Sequence, residues 1–161
     1  NGEEPVTDLE NLPQGTRELV LVVDSDPVLQ QFLDLLERFQ RDHEEPLLML
    51  HTSDSLSLKG EELGPPTMPA FLAALPYMGK LNDLNLSTNR LGDEGAEALS
   101  GALAINSRLT SLDLSSNRIE KMGAQALAQA LATNSHLLHL GLSFNKIEDE
   151  GAQAIATAIA G

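Results

Sequence analysis

Three aspartates raise the question of chemistry. Asp24 and Asp26 follow the apolar run from Leu19 to Val23 in LVLVVDSDP, and Asp54 comes shortly after LLML. Carboxylates gathered at strand ends can hold a magnesium ion and support phosphoryl transfer. His136 and His139 stand close in sequence, but a metal site needs further ligands and the chain has no cysteine to supply them. The pairs Asp93/Glu94 and Asp149/Glu150 have the residue types of a glycosidase, yet they recur at a fixed period, as architectural residues do. Glycines in GDEGA and GAQAL suggest phosphate-binding loops, but neither G-x-x-x-x-G-K-[ST] nor G-x-G-x-x-G occurs. They are read instead as easing a tight strand-to-helix turn. Ser, His and Asp are all present without a G-x-S-x-G elbow. No catalytic residue, cofactor or metal ligand is assigned.

The elements around the first aspartates decide their role. Pro27 suits the first turn of a helix. Val28, Phe32, Leu35, Leu36 and Phe39 then recur at helical spacing, opposite Gln30, Asp34, Glu37, Arg38 and Arg41. Asp26 is thus a natural N-cap, its carboxylate accepting from an unpaired helix N–H. The stretch resembles the first strand of a phosphoacceptor receiver domain, a family that also needs a phosphorylatable aspartate ending a third strand. Asp54, after LLML, is the one candidate, but no helix-plus-strand unit lies in between, so a receiver-like phosphoacceptor remains a remote alternative. Residues 15–52 are read as an N-terminal strand–helix capping unit, and residues 1–14 as a flexible acidic tail.

A repeat organises the rest of the chain. LNDLNLSTNRL from Leu81, LTSLDLSSNRI from Leu109 and LLHLGLSFNKI from Leu137 align without a gap at a spacing of 28 residues. The stretches GDEGAEALSGALA, EKMGAQALAQALA and EDEGAQAIATAIA follow at the same offset. One period upstream, Leu56, Leu58, Leu63 and Gly64 match Leu84, Leu86, Leu91 and Gly92. That first unit is degenerate: Glu61 holds the asparagine position, and Pro65, Pro66 and Pro69 stand where a helix should start. A short, delayed helix is expected around Ala70 to Leu75. Four units therefore fill residues 53–161, the last expected to be cut from a longer array. The pattern LxxLxLxxNxL with an Ala-rich helix resembles the ribonuclease-inhibitor-like class of leucine-rich repeats. That class occurs in Nod-like receptors, Ran GTPase-activating proteins and bacterial effectors. The resemblance implies a right-handed α/β solenoid, a horseshoe segment with a parallel inner sheet and outer helices.

Residues two apart in a strand share a face, so Leu84 and Leu86 point inward and Asn85 outward. Leu86, Leu114 and Leu142 form one ladder by the same register. Leu99 and Leu103 make a helical stripe with Ala96 and Ala102 as small neighbours. Asn89, Asn117 and Asn145 are expected to turn inward and bond backbone groups left free at strand ends. Asp93 with Glu94, and Asp149 with Glu150, favour helix starts by about 0.3–1 kcal/mol. Lys121 breaks that pattern in the middle unit.

The resemblance further implies a non-catalytic module that binds a partner protein on its concave face, as a fragment of a larger receptor, scaffold or effector. Asn85, Asp113, Asp83 and His139 are the polar candidates for contact. Leu138 and Phe144 are the apolar ones, large side chains where sibling units carry Asn, Thr or Ser. Arg90, Arg118 and Lys146 form a basic column that either meets acidic partner groups or bonds neighbouring turns; the second reading is preferred. A GTPase-activating arc is the alternative function, with no functional residue that carries over.

Charge limits the partners. The formal net charge is −14, with 15 acids and 4 bases in residues 1–64 and 9 acids and 6 bases in 65–161. Nucleic acid and anionic membrane call for clustered Lys and Arg and are not expected. There is no apolar run of the roughly 18 residues that a spanning helix needs. A cytoplasmic setting is expected, the host cytosol if the chain is a bacterial effector. The closing AIATAIAG leaves one face of its helix without polar cover, so self-association or fraying at that end is expected.

Overall fold

The computed structural model describes residues 54–160, apart from 76, 77 and 79. The tail expected at 1–14 and the capping unit at 15–52, with Asp24 and Asp26, lie outside the described residues. Strand β1 (Ser55–Ser57) leads to helix α1 (Met68–Ala74), and β2 (Asp83–Asn85) to α2 (Gly92–Ile105). Strand β3 (Ser111–Asp113) leads to α3 (Lys121–Leu131), and β4 (His139–Gly141) to α4 (Glu148–Ala160).

The four strands form one parallel sheet in the order β1-β2-β3-β4. Their register follows the period of the sequence: Leu56 faces Leu84, Leu84 faces Leu112 and Leu112 faces Leu140. The described residues thus form an α/β solenoid of leucine-rich repeats. A doubly wound receiver sheet would interleave its strands instead. Asp54 opens the first rung, its carbonyl accepting from the N–H groups of Asn82 and Asp83 at 2.8 and 3.0 Å.

Between sheet and helices lies a core of ladders. Leu84, Leu86, Leu91 and Leu99 of the second unit are fully buried, as are Leu109, Leu114 and Ile119 of the third. Each such side chain contributes about 1.5–3 kcal/mol by leaving water. No unit could bury this surface alone; each is covered by the next.

Two local expectations change. Helix α1 begins at Met68 rather than Ala70, because Pro69 occupies its first turn, where no N–H is needed. Just before it, the Thr67 hydroxyl donates to the Gly64 carbonyl at 3.0 Å and accepts from the Gly64 N–H at 3.1 Å. The helix-start glycines also serve a different purpose. A Cβ on Gly123 would stand 3.0 Å from Cβ of Ala96, and one on Gly151 would stand 2.8 Å from Cβ of Ala124. Those glycines let consecutive helices approach closely. The turn itself is eased by Gly92 at φ +60°, although Glu148, in the same register, holds φ 55° without being glycine.

The asparagines close the strand ends. Asn117 Nδ2 donates to the carbonyls of Leu86 and Leu114 at 2.8 and 3.1 Å, joining two rungs. Its Oδ1 accepts from the Leu91 N–H at 3.4 Å. Asn89 likewise donates to Leu58 and Leu86 and accepts from Leu63, and Asn145 donates to Leu114 and Leu142 and accepts from Ile119. Each amide satisfies backbone groups that a buried turn would otherwise leave unpaired.

Candidate functional site

A three-residue strand presents two residues to the concave side and hides the one between. The outward rows are Ser55, Asp83, Ser111 and His139, and Ser57, Asn85, Asp113 and Gly141, in adjacent rungs about 4.8 Å apart. Asp83 and His139 are exposed, with Ser111 between them in their row. Asn85 and Asp113 are neighbours but only half exposed. Each has turned one side-chain oxygen to the backbone two residues on: Asn85 accepts from the Ser87 N–H and Asp113 from the Ser115 N–H, both at 2.9 Å. This is the Asx-turn habit of these residues, and it leaves one oxygen of Asp113 less available to a partner than an outward-pointing strand residue implies. A Cβ on Gly141 would meet Oδ1 of Asp113 at 2.5 Å, so the missing side chain in β4 makes room for that turn.

The apolar candidates bracket β4 rather than sitting in its outward row. Leu138 precedes the strand and is 72% exposed; Phe144 follows it and is 88% exposed. Six residues of chain place them no more than about 20 Å apart. Phe144 belongs to a column of left-handed backbone: Gly60, Thr88, Ser116 and Phe144 have φ of 76°, 59°, 58° and 56°. Such a conformation is natural for glycine and an outlier for a β-branched residue such as Thr88. Ladder bonds hold it, with the N–H groups of Thr88 and Ser116 donating to the carbonyls of Ser115 and Ser143 at 2.8 Å. Thr88 is exposed although the next unit covers its rung, so this position projects outward along the array.

Beyond this column runs the charged one. Arg90 lies 3.8 Å from Glu62, its counterpart one period upstream. Among the described residues Arg118 and Lys146 have no ion pair. Lys121 does: its Nζ lies 2.6 Å from Oε2 of Glu150, so the base that interrupts the acidic helix starts ties α3 to α4. The Glu150 hydrogen bond and charge raise the Lys121 pKa above its ordinary 10.5. His136 and His139 are both exposed, and the described residues contain no group of three or more metal-ligating side chains.

Two devices were legible in the residues and were missed. Asn106 and Asn134 make a second ladder at the helix-to-strand turns. Asn134 Nδ2 donates to the Leu103 and Asn106 carbonyls at 2.6 and 3.0 Å, while its Oδ1 accepts from the N–H groups of His136 and Leu137. The signal was the dipeptide Asn-Ser recurring at the repeat period. The second device is Asp93, whose carboxylate accepts from the Glu120 N–H at 2.8 Å and so ties the start of one helix to the approach to the next.

Comparison with known proteins agrees with this geometry. A family profile described as "Leucine Rich repeat" matches residues 80–100, 106–128 and 133–156. No curated protein matches the chain in sequence. Among solved structures, the chain is similar to "Leiomodin-1 Actin-Binding Site 2 (ABS2)", with a TM-score of 0.60 and 23% identity over 78% of this chain and 70% of that one. Repeat period, parallel rungs and profile matches coincide over residues 80–156, and this part of the chain is built of leucine-rich repeats.

Proposed function

We propose that the protein is a non-catalytic protein-binding module of the ribonuclease-inhibitor-like class, engaging its partner on the concave side and adjoining loop edge near β4. The observation that carries this reading is the exposure of Phe144 and Leu138, at 88% and 72%, beside a polar sheet face. Large apolar groups left in water at the edge of a regular scaffold are the common anchors of interfaces. Asp83, His139, Asn85 and Asp113 supply the polar surround. The solved neighbour is titled as an actin-binding site, which makes purified actin the first partner to try. Self-association through the half-covered terminal repeat and a cytoplasmic setting belong to the same proposal.

Affinity capture comparing wild type with Phe144→Ala, Leu138→Ala and Asp113→Arg tests it. Partner recovery should fall several-fold in the first two variants, while circular dichroism stays unchanged. Undiminished recovery in all three variants overturns the concave-side reading. Added GTP turnover by a small GTPase would favour the GTPase-activating alternative instead.

A further inference from the structure

We infer that the partner presents an acidic protein segment with an apolar side chain to the loop edge, where the column of Arg118 and Lys146 runs next to that of the exposed Phe144. This rests on the binding-module reading and names the chemistry of what is bound. The chain is poor in bases, and residues 65–161 hold only 6 of them. Half of those, Arg90, Arg118 and Lys146, ride on one column. The column begins with Glu62, one period before Arg90, and that pair lies 3.8 Å apart. The first rung is therefore neutralised within the molecule.

The next two rungs are not. Lys146 N–H donates to the Ile119 carbonyl at 2.8 Å, so Arg118 and Lys146 stand on bonded neighbouring turns. Both are exposed, and like charges side by side on neighbouring rungs disfavour the fold. Glu120 and Glu148, two residues further on, form no ion pair with either base, and Glu150 is engaged by Lys121. Among the described residues two bases without an ion pair thus lie on the column next to that of Phe144, the most exposed large apolar side chain there. A segment offering carboxylates to Arg118 and Lys146 and an aliphatic group to Phe144 matches all three. Charge selects it and the aromatic contact retains it.

The test uses fluorescent peptides of glutamate around one leucine, lysine around one leucine, and glutamate around one serine, titrated with the whole chain. The Glu/Leu peptide should bind, weaken with added salt, and lose about tenfold in affinity with Arg118→Glu/Lys146→Glu. Phe144→Ala should lower its affinity several-fold, and Arg108→Glu, on the opposite edge, should leave it unchanged. Equal binding of the Lys/Leu peptide, equal binding of the Glu/Ser peptide, or indifference to the double reversal overturns the inference. So does equally tight binding of a single-stranded oligonucleotide. If affinity capture of the partner fails with Phe144→Ala yet survives the double reversal, the binding module stands and its acidic partner falls.

Discussion

Leu86, Leu114 and Leu142 occupy the same place in three successive units, yet only the first two are fully buried; Leu142 is half covered. The same contrast separates Leu84 and Leu112 from Leu140, and Ile119 from Ile147. On the helix side Leu99 and Leu127 are buried while Ile155 is only partly so, and Ile159 is 70% exposed where Leu103 is hidden. The chemical identity of these side chains barely differs. What differs is that the inner repeats have a described rung on both sides and the last described one on a single side. A leucine's contribution here is therefore a property of the pair of repeats that encloses it.

That difference can be measured by paired substitutions. Leu114→Ala should destabilise by about 4 kcal/mol, since the cavity is closed on every side, whereas Leu142→Ala should cost about 2 kcal/mol. Urea unfolding of the two variants compares them, and equal losses would remove the contrast. A smaller effect is expected from the asparagines. Asn117→Ala leaves two carbonyls and the Leu91 N–H without a buried partner and should cost about 3 kcal/mol. Asn145→Ala should cost about 1 kcal/mol, because water reaches the half-exposed last rung and replaces part of what is lost. Hydrogen exchange at the Leu91 and Ile119 amides reports each case locally.

The smallest effect concerns the ion pair that ties the terminal repeat to its neighbour. The Glu150 hydrogen bond and charge raise the Lys121 pKa in the folded state. The stabilisation from this link is fully present below the unfolded value and is lost as pH rises through the folded one. It should therefore fade only above about pH 10.5. Lys121→Met should flatten that alkaline decline in a melting-temperature profile while leaving neutral pH nearly unchanged, as partly exposed pairs do.

How much of this was readable beforehand varied with distance from the repeat. The parallel sheet and the buried leucines follow from a period of 28 residues with two inward leucines per strand. The role of Gly123 did not, because its reason lies in the preceding unit, where a Cβ would meet Asp93 Oδ1 at 2.6 Å and Cβ of Ala96 at 3.0 Å. Thr88 and Ser116 gave no hint of left-handed backbone, a conformation that their residue types disfavour and that ladder bonds impose. Within the candidate site, the apolar character of Leu138 and Phe144 was visible in the residues. The engagement of Asn85 and Asp113 in their own turns was not.

Sequence alone determined the rungs: equivalent residues one period apart must stack, because only a neighbouring unit can cover an apolar strand and helix face. Tertiary structure decided which copies are covered. It also decided which of three bases in one column is neutralised and which glycines serve contact rather than turning. Those outcomes depend on the distances between atoms of different repeats, and a one-dimensional period carries no information about such distances.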